Sequence, residues 1–336
     1  MVGEPVVKII RVALTGALLL MGVVPVRAEA VRIARQFGLS YLPLILMQDR
    51  GLLEAEGRAR GLELVPEWVT FTGGPPINDA LISGNIDLAS GGVGPMLTIW
   101  GRTRGSLRVR GVAVLGSMPM WLMSNRAAVQ TVRDFTEKDR IALPGVKVSV
   151  QAVVLQMAAA QAWGAGQQYR LDPLTVSMGH PDGLMALLGG GSEVTAHFTA
   201  APFMYEEAAD PRVHRVLNSY DVLGGPHTFN VVWATARYAN GHPVVLAAFR
   251  AALERAMTLI HTDPAGAAAA WVRVENTRIR VDQAAAMIQR PENEWTTTPR
   301  RMMDFARFMA GTGAIAQAPE SWRELFFGDA AAGEGS

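Results

Sequence analysis

Val31-Arg32-Ile33-Ala34 alternates apolar with polar or small residues, as a β-strand does, and opens a series in which short strands alternate with stretches of helical spacing. A helix is expected from Pro43 to Leu53, stopped around Gly51, and a strand from Leu62 to Thr70. The stretch from Thr70 to Pro95 then organises the chain. It reads as a strand end, a Gly73-Gly74-Pro75-Pro76 turn, and a short helix with Ile77, Leu81 and Ile82 on one face. Proline suits the first helical turn, where its missing N–H costs nothing, and Gly84 is placed to end the helix. Ile86 and Leu88 alternate with Asn85 and Asp87 as in a short strand, and Ser90-Gly91-Gly92 reads as a second glycine-rich turn beyond it. Leu97 to Trp100 continues as helix, and Arg108 to Leu115 is a strong apolar strand. This alternation indicates an α/β fold, a mainly parallel sheet covered on both faces.

Gly116-Ser117-Met118-Pro119 interrupts the pattern, and Met120 to Ser124 resumes it as a strand. A second α/β unit follows: strands at Val146 to Ser149, Leu174 to Ser177 and Val194 to Phe198, with helices at Gln151 to Trp163 and Asp182 to Leu188. After Gly224-Gly225-Pro226 comes a strand from Phe229 to Thr235, then helical spacing at Pro243 to His261, Pro264 to Val272, Val281 to Arg290 and Pro299 to Met309. The second unit is nested in the first, with crossings near 116–119 and 224–232. The expected division is residues 29–117 and 232–328 in one lobe, 118–231 in the other, with a cleft between them and a disordered tail over 329–336.

The N-terminus changes the picture of where the chain works. Lys8 and Arg11 precede an apolar run from Val12 to Val24, and small residues follow at Val26, Ala28 and Ala30. That layout is a secretory signal over residues 1–28, cleaved after Ala28 or Ala30, and the run is too short to span a bilayer comfortably. The chain has no cysteine, so no lipid anchor on that residue and no disulfide is available, and stability must come from core burial. With 49% apolar residues and a net charge of +1, a soluble periplasmic protein is expected. No basic run interleaved with aromatics points to nucleic acid.

Two glycine-rich strand ends, one feeding a helix N-terminus, make an edge where a small molecule can dock against backbone N–H groups. His180 stands between a strand and a helix expected to be capped by Asp182, and His197 stands at the end of the next strand. Two imidazoles at neighbouring strand ends can donate to an oxyanion or clamp a ring, although a lone histidine is more often structural. No third ligand is evident at the spacing a metal needs, and neither a metal nor a cofactor is expected. Trp121, Phe203 and Asn230 are further cleft candidates. Asp87 is read as facing the helix layer or capping a turn. Gly189-Gly190-Gly191 lacks the Lys-Ser/Thr of a phosphate loop, and no nucleophile with its base or paired carboxylates emerges.

The segments VRIARQFGLSYLPLILMQDRGLLEAEG, FTGGPPINDALISGNIDLASGG and KVSVQAVVLQMAAA resemble the periplasmic binding proteins of ABC importers, in the nitrate, sulfonate and taurine group that shares its fold with thiamine-pyrimidine-precursor binders. The resemblance runs from Val31 to about Phe327. It implies a two-lobed periplasmic-binding-protein fold of type II, with two mainly parallel sheets and two hinge crossings. It also implies a monomeric receptor that traps a small organic ligand and delivers it to an inner-membrane permease. Carried over position by position, the ligand contacts are Phe37, Gly38, Ser40 and Tyr41, then Thr72, Gly73 and Gly74, then Ser90, Gly91 and Gly92. The second lobe offers Ser149 and Gln151; Val150 departs from the small hydroxyl or glycine residues of many relatives. Without an evident Arg or Lys, a bare anion such as sulfate fits poorly, whereas sulfonates, aromatic carboxylates and pyrimidines qualify. The pyrimidine-precursor enzymes on this scaffold depend on a cysteine-rich segment that is missing here, so a non-enzyme is expected. A ligand-sensing domain fits the same fold.

Overall fold

The first strand, β1 (Ala28–Arg35), lies parallel to β2 (Glu63–Thr70), with α1 (Leu42–Arg50) and α2 (Leu52–Arg58) between them. The structure is a computed structural model that describes residues 1–3 and 28–336; the expected secretory segment lies mostly outside the described residues. The single helix expected from Pro43 to Leu53 is two, because Gly51 adopts a left-handed conformation (φ 60°) that ends α1 on Met47 O.

Next come α3 (Gly74–Ile82), β3 (Ala89–Gly92), α4 (Val93–Thr103) and β4 (Arg110–Ser117). The expected strand at Asn85–Leu88 is displaced: only Leu88 is bridged, to Ile33, and Ser90-Gly91-Gly92 is not a turn but the body of β3. Bulk elsewhere explains glycine in a buried central strand, since a Cβ on Gly91 would sit 3.1 Å from the Trp233 ring. Asp87, as expected, serves structure. Its carboxylate accepts from the Arg32 guanidinium and the Arg32 backbone N–H.

The chain then crosses to β5 (Trp121–Ser124), β6 (Ile141–Leu143), α5 (Val150–Trp163), β7 (Thr175–Ser177), α6 (His180–Leu188), β8 (Ala196–Thr199), α7 (Phe203–Ala208), β9 (His214–Asn218) and α8 (Ser219–Leu223). The strand expected at Val146–Ser149 is instead a turn, with Lys147 at φ 67° and Ser149 N–H bonded to Gly145 O; the strand lies just before it, as β6. Asp182 is not the α6 cap. Gly179 holds that position without a side-chain bond, and Asp182 lies in the first turn.

The return crossing leads to β10 (Thr228–Ala234), followed by α9 (Ala236–Gly241), α10 (Pro243–Thr262), α11 (Pro264–Glu275), α12 (Val281–Ile288) and α13 (Met302–Gly311). β10 pairs antiparallel with β3 and β4, so residues 228–231 belong to the first sheet rather than to the second lobe.

Bridged at Ile33–Leu88, the first sheet runs β2-β1-β3-β10-β4, and the second runs β7-β6-β8-β5-β9. Each is parallel except for one strand, β10 in the first and β5 in the second. Both exceptions are the strands that follow a crossing. The tail expected to be disordered is tied down: Ser336 N–H donates to Pro299 O, and Met302 N–H to Ser336 O.

Candidate functional site

The two lobes meet along the strand ends that carry the glycine-rich edge. From the first lobe come the loop after β1 and the starts of α3 and α4; from the second come the turn at 144–149, the start of α6, and Ala200-Ala201 after β8. Four helices, α3, α4, α5 and α6, thus point their N-termini toward one cleft, where their dipoles favour negative charge. Two prolines thin the donors at the α3 start, since Pro75 and Pro76 carry no N–H.

Glycine lets the lobes approach closely. A Cβ on Gly73 would lie 2.3 Å from Pro144 O, one on Gly92 2.6 Å from Val150 Cγ1, and one on Gly94 2.6 Å from Val148 O. Leu39 N–H donates across the cleft to Ala201 O at 2.9 Å. At the far side Tyr169 OH donates to Thr312 O at 2.7 Å.

The cleft encloses about 20 Å³ of free space. That is room for about one water molecule, against roughly 300 Å³ or more in ordinary small-molecule pockets. A solute of several heavy atoms therefore enters only when the lobes part. Of the residues expected to contact a ligand, Phe37, Ser40, Tyr41, Gly74, Gly92, Ser149, Gln151, His180 and Asn230 line this space. Phe37 is 36% exposed and Tyr41 is buried. The Ser149 hydroxyl caps α5 by accepting from Ala152 N–H. Asn230 Nδ2 donates to Ser40 Oγ at 2.8 Å, and Asn230 Oδ1 has no partner within the protein.

The other expected contacts do not line it. Ser90 is fully buried in the sheet and donates to Ala34 O, and Gly91 packs against Gln36 and Trp233. Gly38 and Gly73 serve the approach of the lobes, and Thr72 is exposed beside Gly179. Trp121 packs on Tyr205 with Arg215 over its ring, on the hinge strand. Phe203 and His197 lie behind His180: Phe203 stacks on its ring at 5.6 Å, and His197 is fully buried. Sequence reasoning missed Gln36, Pro95, Pro144, Val150, Ala200, Ala201 and Phe229. Ala200-Ala201-Pro202, after a strand that ends in His197-Phe198-Thr199, was the available signal for the second-lobe rim.

The histidines form a line into the second lobe. Gln151 Nε2 lies 3.2 Å from His180 Nε2, His180 Nδ1 3.1 Å from His197 Nε2, and His197 Nδ1 2.5 Å from Glu207 Oε1. Burial pulls His180 well below the ordinary histidine range and His197 down to about 3, and it pushes Glu207 up to about 9. Burial thus favours the neutral form of all three. On the first-lobe side a buried ion pair, Arg35 with Glu275, anchors the loop after β1 to the end of α11. Gly38 N–H adds a bond to Glu275 at 3.4 Å. Among the described residues no group of three or more His, Cys, Asp or Glu is placed to hold a metal ion, and no helix is long and apolar enough to cross a membrane.

No protein-family model and no curated protein matches the chain. Solved structures match it over nearly its whole length. The alkanesulfonate-binding protein SsuA of Xanthomonas axonopodis pv. citri, bound to MOPS, superposes with a TM-score of 0.68 at 20% identity, over 90% of this chain and 97% of that one. The periplasmic aliphatic sulphonate binding protein SsuA of Escherichia coli gives 0.64 at 20%, over 89% and 92%. The periplasmic nitrate-binding protein NrtA of Synechocystis gives 0.66 at 12%, over 88% and 84%. At such identities the likeness establishes the fold, which is that of the periplasmic binding proteins, with two lobes of mixed sheet and helix. The sulfonate and nitrate binders among these matches are the group that the sequence segments resemble.

Proposed function

We propose that the chain is an exported solute-binding receptor of an ABC importer, whose lobes close on one small organic solute and present it to a membrane permease. The observation that carries this reading is the cleft itself. Four helix N-termini from both lobes converge on it, and polar side chains line it without any Arg, Lys, Asp or Glu among the described residues. Closure is selected by a solute that binds the closed lobes better than the open ones.

The helix N-termini and neutral donors suit an oxygen-rich polar head, each dipole contributing roughly 0.3–1 kcal/mol. Phe37, Tyr41 and Phe229 supply apolar walls for a planar or aliphatic body. Sulfonates, aromatic carboxylates and pyrimidines fit this description better than sulfate, whose double charge would meet no cation and which has no body to set against the apolar walls. The sulfonate binders with the same fold support an organic solute with an oxygen-rich head without fixing the member. No catalytic step belongs to this reading.

Isothermal calorimetry against taurine, methanesulfonate, benzoate and a pyrimidine is the test. Binding by one of them with a micromolar or tighter Kd supports the proposal, and no binding by any organic anion or heterocycle sinks it. The position of β1 bears on the export signal. Cleavage after Ala28 leaves nearly all of the strand, whereas cleavage after Ala30 removes three of its paired residues. N-terminal sequencing of the secreted protein is expected to begin at Glu29.

A further inference from the structure

Gln151 and His180 line the cleft, but their hydrogen bonds run away from it, through fully buried His197 to fully buried Glu207. Such a chain has two proton arrangements. With Glu207 ionised, His197 Nδ1–H donates to it, His180 Nδ1–H donates to His197, and His180 Nε2 is left as an acceptor at the cleft. With Glu207 protonated, its O–H donates to His197 Nδ1, His197 Nε2–H donates to His180 Nδ1, and His180 shows Nε2–H to the cleft. The choice decides whether the site offers a donor or an acceptor.

We propose, resting on the receptor reading above, that Glu207 is a positioning residue. Acting through His197, it fixes His180 as the Nε2–H tautomer, so that the cleft presents a neutral imidazole donor to an oxygen of the solute.

The surroundings favour the protonated arrangement. An ionised Glu207 would keep a charge where no Arg or Lys pairs with it among the described residues, and its Oε2 has no hydrogen-bond partner. A protonated carboxyl requires one acceptor, and His197 Nδ1 is there. Burial pushes the Glu207 carboxyl up to about 9 and His197 down to about 3, in the same sense. The other ionisable side chains on the elements packed round the line are Asp182 on α6, Tyr205 and Glu206 on α7, and His214 and Arg215 on β9 beside α7. Arg215 lies over the Trp121 ring and His214 is bonded to Val129 O, while α5, β5, β6 and β8 bring none besides His197. Glu206, an acid that burial raises, would only repel an ionised Glu207. Packing holds the line in place. A Cβ at Gly183 would lie 2.5 Å from His197 Nε2, and the Thr199 hydroxyl sits 3.2 Å from His180 Nδ1. In this arrangement the Gln151 amide, whose Nε2 lies 3.2 Å from His180 Nε2, turns away as a solute oxygen takes the Nε2–H, and its own N–H groups remain as further donors.

The tautomers can be read without any solute. Two-bond ¹H–¹⁵N correlation spectra of the mature protein, assigned with His180→Asn, are expected to show His180 and His197 as neutral Nε2–H forms, unchanged from about pH 5 to 8. Glu207→Met removes the carboxyl and should let His180 shift toward the Nδ1–H form. Glu207→Gln, whose amide N–H can still donate to His197, should restore the Nε2–H form. With whichever panel solute binds, Glu207→Met is expected to weaken affinity about tenfold, and Glu207→Gln to stay within about threefold.

A wild-type His180 found as Nδ1–H, or as imidazolium at pH 7, overturns the proposal. So does an unchanged tautomer in Glu207→Met. If that variant fails to fold, the wild-type spectrum decides alone. A panel in which nothing binds counts against the receptor reading and leaves the tautomer result standing.

Discussion

Gly73 sits in extended backbone (φ −172°) that alanine adopts freely, yet a Cβ there would strike Pro144 O of the other lobe. Gly73→Ala should therefore leave the open protein unaffected and disfavour closure alone. Overpacking of this kind costs roughly 1–3 kcal/mol, which corresponds to about a 5- to 150-fold loss of affinity. Small-angle scattering should show a more open average shape with an unchanged melting temperature; a collapse in melting temperature would mean that Gly73 matters to the lobe and not to closure. Asn230 contrasts with it. Its Oδ1 is buried without a partner and its residue lines the cleft. Asn230→Ala is expected to weaken the panel solute by about tenfold, the effect of losing one hydrogen bond, with stability changed by less than about 1 kcal/mol.

Whole elements carry the coupling between lobes. α5 is buried at every position from Val150 to Ala159, because α4 and α13 of the first lobe pack on it as well as α8 of the second. That explains its lack of a polar face, which a helix covered on one side would show. The hinge is tied by a short relay: Met120 N–H donates to Ser219 Oγ, the Ser219 hydroxyl to His227 Nε2, and His227 Nδ1–H to Thr228 O. It connects both crossings. The loop before α13 adds a third tie, as Glu294 pairs with Ser117 while Tyr205 and Tyr220 of the second lobe bond to Glu292. Neither device was legible in the sequence, which marked two crossings by their Gly and Pro residues and could not show what holds them. On the first-lobe side, Glu275→Ala would strand Arg35 in a site that leaves its side chain 7% exposed. Chemical denaturation should register a loss of about 3–5 kcal/mol, whereas replacing both partners by apolar residues of similar size should cost far less.

For the molecule as a whole, buried neutral groups set the pH response. His180 and His197, and His227 at about 4, take up protons less readily when folded than in the unfolded chain. The stability they carry is present above about pH 6.5 and lost as pH falls toward those values. Glu207 acts in the opposite sense: its proton is kept up to about 9 when folded and released near 4.5 when unfolded, so stability falls as pH rises between the two. Each proton contributes a slope of about 1.4 kcal/mol per pH unit. Melting temperature is therefore expected to be highest at about pH 6 and to decline on both sides. Glu207→Gln should flatten the alkaline side and steepen the acid side; a wild-type profile level from pH 6 to 9 would contradict the neutral, buried carboxyl.

Hydrophobic periodicity by itself determined the α/β class, the nested second lobe and the approximate place of most elements, because those depend on local spacing and on residues that forbid or permit particular backbone angles. It also marked the glycine-rich edge from Thr70 to Pro95 and singled out His180 and His197. What each of these does depends on contacts made in the folded molecule. Gly91 and Ser90 make sheet, Gly73 and Gly92 make room for the opposite lobe, and His180 faces the cleft while His197 passes its hydrogen bond inward to Glu207, which no local pattern singles out. Close approach and burial are relations between segments distant along the chain, and no local pattern records them.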